Sequence, residues 1–303
     1  MAARHLEEMG LSEAQVRTTV GFLEAYANTG IRELAAVISD LDGNSEHRHE
    51  ALLAEPAFTI AADTATALCE AGRWMLYLDA DATRSLLLRA GRQFLDIGQP
   101  YGAYLVETAG GDDVLPYAEM LRRLADGTAD ASEWPALRHP QQQAYLMLAV
   151  AGSPQSGELR QQVIGALEAS PNVSGVAPVG ALGTPVRRLW DIARHLIVAR
   201  PDSADVVAGH LASMARRYAE SMALAQVNER LWRHGAAPVD VGDIDIAGVA
   251  ALATRRFGAP AMAQGTRMAG LSVDRDPIAL APIEAGMDLA LPDDPATSTE
   301  REN

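Results

Sequence analysis

The chain has no lysine: all 25 basic residues among its 303 are arginine. That excludes chemistry requiring an amine nucleophile, Schiff-base enzymes among them, and the phosphate-binding lysine of P-loop proteins. Cysteine is nearly absent. The single Cys69 permits neither an internal disulfide nor a cysteine-based zinc site, and its setting in Ala67, Leu68, Cys69 makes it a small core residue. Aromatics supply 5% of the chain, too few to fill sheets, whereas alanine is abundant; this composition excludes an all-β fold and suits closely packed helices. No apolar run nears the ~18 residues of a membrane span. The uncharged stretch Ala169 to Val186 is broken by Pro171, Pro178 and Pro185 and by Gly175, Gly180 and Gly183, and reads as a loop. Glu7 and Glu8 interrupt the start before any apolar leader core can form, so the chain reads as cytoplasmic.

What is present is acid. Forty carboxylates against 25 arginines give a net charge of −15 and a pI near 4.8, which opposes attraction to nucleic acid or anionic lipid. At ~150 residues per domain, the length allows two domains or one elongated one.

Helical periodicity dominates the pattern. Ser12 opens a capping-box-like start, and Val16, Val20, Leu23 and Tyr26/Ala27 follow at helical spacing. This predicts a helix over about 12–28 ending near Gly30, a second over 31–41 and a third after Ser45, stopped by Pro56. Further helices are expected at about 113–126, 140–151 and 156–169. Past the Pro/Gly loop, Val186 to Val198 is amphipathic, with Leu189, Trp190, Ala193, Leu196 and Ile197 on one side. A long helix is expected over about 203–234, then a short one over 246–257. From Leu271 the pattern dissolves among Pro277, Pro282, Pro292 and Pro295, predicting an irregular acidic tail whose last ten residues are disordered, with Ile278, Leu280, Ile283, Met287, Leu289 and Leu291 packing along the body. The expected organisation is a helical region over 1–170, a loop over 171–185, a second helical region over 186–270 and the tail over 271–303.

One internal repeat stands out. Leu68, Ala71, Gly72, Arg73 and Leu76 recur 19 residues later as Leu87, Ala90, Gly91, Arg92 and Leu95. Small residues at one helical level let neighbouring backbones approach closely, so the Ala-Gly steps predict helix–helix contacts. In the second copy, Leu87, Ala90, Gly91, Phe94, Gly98 and Ala103 stand at the spacing of a tetratricopeptide repeat, and residues 64–116 resemble the helical hairpins of that family. The resemblance implies an all-α fold of stacked helical hairpins, here followed by a long-helix bundle, that binds another protein. Arg73, Trp74, Arg92, Tyr101 and Tyr104 are the candidate contact residues, suited to an acidic partner segment because arginine and aromatics dominate interface energies.

Other motifs have plainer structural readings. Asp40, Leu41, Asp42, Gly43 resembles the Asp-x-Asp-Gly of haloacid-dehalogenase-type phosphatases, with Asp112 and Asp113 as distal metal carboxylates. That resemblance implies a magnesium-dependent enzyme, yet the lysine such a site requires is missing. The same stretch misses a calcium loop, because Ser45 takes the turn-glycine place and Ala51 the bidentate acid. His47 and His49, two apart on a helix, point away from each other and cannot share an ion. Asp112 and Asp113 suit a helix N-terminus for electrostatic reasons alone. The expectation is therefore an interaction module without metal or cofactor, with the four-aspartate enzyme as its alternative.

Overall fold

The computed structural model describes residues 6, 11–40, 57–96, 148, 151, 184–227 and 243–290, with backbone alone at 37–40, 57, 58, 62, 88, 91–96, 184–186, 224–227, 243 and 244. Eight helices lie within these segments: α1 (Glu13–Asp40), α2 (Ala57–Met75), α3 (Ala80–Asp96), α4 (Thr184–Val198), α5 (Ser203–Val227), α6 (Asp243–Phe257), α7 (Ala259–Met268) and α8 (Pro277–Leu289). Among the described residues there is no strand, as the composition requires. The fold is all-α. None of these helices is long and apolar enough to cross a membrane.

The chain divides into two compact units, one within Ala14–Met75 and Ala82–Val198 and the other within Met1–Glu13, Leu76–Asp81 and Ala199–Asn303. In the first, α1 buries Val16, Val20, Ala27 and Leu34, a narrow stripe at heptad spacing. The expected break at Gly30 does not occur, and α1 runs unbroken through it. A Cβ there would fall on the Thr64 hydroxyl, so the missing side chain is what lets α1 approach α2. The ~1 kcal/mol helix penalty of glycine is offset by that packing. Arg89 of α3 reaches α1 with Nη1 2.8 Å from Glu24 Oε1 and Nη2 2.8 Å from Asn28 Oδ1. The repeat glycine behaves likewise: a Cβ on Gly72 would lie 2.8 Å from Leu87 Cδ2, so α2 and α3 pack where the repeat predicted a contact. Helix α4 buries Leu189, Ile192, Ala193, Leu196 and Ile197 and exposes Arg187 and Arg194, the amphipathic division expected from its sequence.

In the second unit, α5, α6, α7 and α8 pack on one another, α6 against α8 most extensively. Ser203, fully buried, opens α5 by accepting a 2.8 Å hydrogen bond from Arg200 N on Oγ and donating its own N–H to Arg200 O. Val207, Ala208, Leu211, Ala212, Ala215, Tyr218 and Met222 form the buried face of α5, and the helix runs as the periodicity anticipated as far as Val227. Residues 228–234 of the expected long helix lie outside the described residues, as do the helices expected after Ser45 and over 113–126 and 156–169. Leu148 and Ala151 are helical, within the helix expected over 140–151.

The segment expected to be an irregular tail is corrected most. Residues 277–289 form α8, eight of whose thirteen residues are buried. Pro277 sits in the first turn, where a missing N–H costs nothing. Pro282 is interior and gives up a backbone bond worth ~3 kcal/mol with its steric clash. Burial of Leu280, Ile283 and Leu289, at ~1.5–3 kcal/mol each, exceeds that cost. Gly286 allows the close approach: a Cβ there would stand 2.7 Å from Ala250 Cβ and 2.8 Å from Ala247 Cα of α6. Helix α7, which periodicity did not announce, begins one residue after α6 at Gly258, whose φ of 87° turns the chain sharply.

Candidate functional site

Arg73 lies on α2 with Nη1 3.0 Å from Glu70 Oε1 and only 16% of its side chain exposed. Trp74 beside it is half-buried. Both spend most of their surface inside the fold. Arg92 is in α3, but its side chain lies outside the described residues, as do Tyr101 and Tyr104 altogether. Asp40 is the last residue of α1, with its side chain outside the described residues, and Asp42, Asp112 and Asp113 fall outside them too. Among the described residues no three His, Cys, Asp or Glu side chains are placed to hold a metal ion.

Two surface features of the second unit carry chemistry. The first is a cleft of about 400 Å³ between the segment 76–80 and α8, where Tyr77, Asp79, Glu284 and Asp288 line an otherwise aliphatic wall. Tyr77 and Tyr218, both buried, place their hydroxyls 3.3 Å apart beneath it. Burial raises the pKa of Glu284 above the ordinary glutamate range, and Asp288 raises it further. Asp79, Glu284 and Asp288 give this cleft an acidic character.

The second feature is a patch at the end of α7. Met268 is 70% exposed and Val273 49% exposed, large apolar surface on a turn held rigid from within. Leu271 N donates to Thr266 O at 3.1 Å, Asp276 N donates to Ser272 O at 2.8 Å, and Ser272 N donates to Asp276 Oδ2 at 3.0 Å. Three exposed arginines, Arg216, Arg267 and Arg275, stand with the exposed acids Asp274, next to Val273, Asp205, whose Oδ1 lies close to Gly265 of α7, and Glu220, one turn from Arg216 on α5. Arg216 donates through Nη2 to Ala269 O, where the negative end of the α7 dipole welcomes it. Arg267 lies along its own helix, Nε donating to Ala263 O at 3.1 Å. None of the three has a carboxylate partner among the described residues. In a chain of net charge −15, the three arginines form a collar around an apolar centre.

Sequence reasoning placed the arginine–aromatic surface on the repeat and passed over this one. Arg216 is 52 positions from Met268 in the chain, and only the α5–α7 packing joins them. One local signal was available: Pro260 near a helix start and Gly270 just past its end bracket a ten-residue helix in the pattern that proline and glycine favour. No family model matches the chain, nor does any curated protein or solved structure.

Proposed function

We propose that this chain is a protein-interaction module, a scaffold or accessory subunit built from stacked helical hairpins followed by a helical bundle, acting in the cytoplasm on an acidic segment of another protein. The observation that carries the reading is the collar of Arg216, Arg267 and Arg275 around exposed Met268 and Val273. Arginine forks bind carboxylates bidentately, and methionine supplies an adaptable apolar contact. Charges unpaired at the surface are free to pair across an interface, where they set orientation and association rate more than affinity. Arg73, Trp74, Arg92, Tyr101 and Tyr104, taken from the repeat, are a second candidate contact set for the same kind of partner.

Affinity capture from the native source, followed by mass spectrometry, tests this. Wild type is expected to retain a specific protein with acidic segments, and the triple variant Arg216→Ala, Arg267→Ala, Arg275→Ala to lose it while keeping its melting temperature. Capture should also weaken as salt is raised, since exposed charges are screened over ~8 Å at physiological ionic strength. Retention of the same protein by the triple variant would reject the collar as the binding surface. Magnesium-dependent turnover of a phosphoester, abolished by Asp40→Asn, would replace the module with the enzyme.

A further inference from the structure

Helix α1 carries a second face that the collar does not involve. Its inner stripe follows positions 16, 20, 23, 27, 30 and 34. Two residues along, Thr18, Phe22, Ala25, Thr29, Arg32 and Ala36 repeat the same steps of four and three on the opposite side, and all six are exposed. A two-residue offset is a rotation of ~200°, so α1 has two heptad seams back to back. Phe22 is 74% exposed, and Tyr26 on its flank 57%.

The outer seam is less polar than its composition suggests. Thr18 Oγ1 donates to Ala14 O at 2.8 Å and Thr29 Oγ1 to Ala25 O at 3.0 Å, which satisfies both hydroxyls within the helix. Arg32 folds back, Nε donating to Asn28 O and Nη2 to Thr29 Oγ1, each at 3.2 Å. Between Arg17 and Arg32 the only charged residue is Glu24, which is paired with Arg89. In a chain of net charge −15, a charge-free face ~20 Å long, at 1.5 Å per residue, is where two copies can meet without repulsion.

We propose that this face binds a second copy of the chain, α1 against α1, in an antiparallel pair about a two-fold axis near Leu23 and Glu24. The steps of the seam are self-complementary about that point. Phe22 falls opposite the partner's Ala25, a large side chain against a small one, and Thr18 falls opposite the partner's Thr29. Such reciprocity is what an isologous contact requires, and a heterologous partner would not impose it. Antiparallel helices also set opposite dipole ends together. The dimer stands or falls independently of the collar.

Sedimentation equilibrium of the full chain tests the proposal. Wild type is expected to dimerise with a dissociation constant in the ~1–100 μM range. Phe22→Glu is expected to raise that constant at least ~30-fold, because it sets two carboxylates at the centre of a dry seam. The exposed position of Phe22 leaves the helicity of the single chain unchanged; if circular dichroism shows otherwise, Ala25→Arg is the replacement. The double variant Thr18→Cys, Thr29→Cys is expected to oxidise to a covalent dimer, whereas either substitution alone would not, since like positions lie ~16 Å apart along the axis. A wild type that stays monomeric throughout, or a Phe22→Glu chain that dimerises as tightly as wild type, overturns the proposal.

Discussion

Gly286→Ala adds one methyl at the most extensive helix–helix contact of the second unit. The new Cβ would meet Ala250 Cβ at 2.7 Å and Ala247 Cα at 2.8 Å, and would press on the Ala247 carbonyl. Ordinary contacts between such atoms begin near ~3.5 Å, and two of the three obstacles are backbone, which has no rotamer to change. Helices α6 and α8 must therefore separate by several tenths of an ångström. Overpacking costs ~1–3 kcal/mol, and the helix propensity gained on replacing glycine returns up to ~1 kcal/mol. The expected net loss is ~1–2 kcal/mol, or ~2–8 °C in melting temperature for a cooperative unit of this size. Gly248→Ala is the matched control: it lies on α6 itself, exposed, with nothing within 4 Å of its Cβ position. The same chemical change there should stabilise by up to ~1 kcal/mol. Urea unfolding followed by circular dichroism reads both variants. If Gly286→Ala matches wild type, or if both variants shift the midpoint in one direction, the close approach of α6 and α8 is wrong and so is the reason given for glycine there.

Two further outcomes follow from named contacts. Gly30→Ala should destabilise the first unit by ~1–2 kcal/mol, because its Cβ falls on the Thr64 hydroxyl, and adding Thr64→Ala should restore most of the loss; Thr64→Ala alone removes a buried hydroxyl with no hydrogen-bond partner, so denaturant midpoints for the four chains should show strong coupling. The raised pKa of Glu284 means that the folded chain binds its proton more tightly than the unfolded one. Its contribution to stability is therefore fully present at pH below the ordinary glutamate range and is lost as pH rises through the folded pKa. Glu284→Gln should flatten that part of the profile and raise the melting temperature at neutral pH relative to wild type; equal pH profiles for the two chains would show that Glu284 is not desolvated.

Much of the fold is written locally. The stripe of Leu189, Ala193, Leu196 and Ile197 defines α4, the spacing from Val207 to Met222 defines the inner face of α5, and the Ala-Gly step at Gly72 marks a helix contact, each because side-chain period and helical period coincide. The scarcity of aromatics and the absence of lysine bound the class and the chemistry before any coordinate is consulted. Glycine and proline are where local reading failed. Gly30 and Pro282 look like terminators, and both sit inside helices, because a penalty of ~1–3 kcal/mol for either residue is smaller than the burial of two or three aliphatic side chains that only the neighbouring helix provides. The two proposed binding faces divide in the same way. The outer seam of α1 lies within one helix, so its residues are ordered by the sequence, yet its exposure is decided by which of two similar seams α2 and α3 cover. The collar joins Arg216 to Arg267, Met268 and Arg275, residues that share no local pattern, and it exists because Gly265 packs its bare backbone onto Ala208 and sets the end of α7 beside the middle of α5.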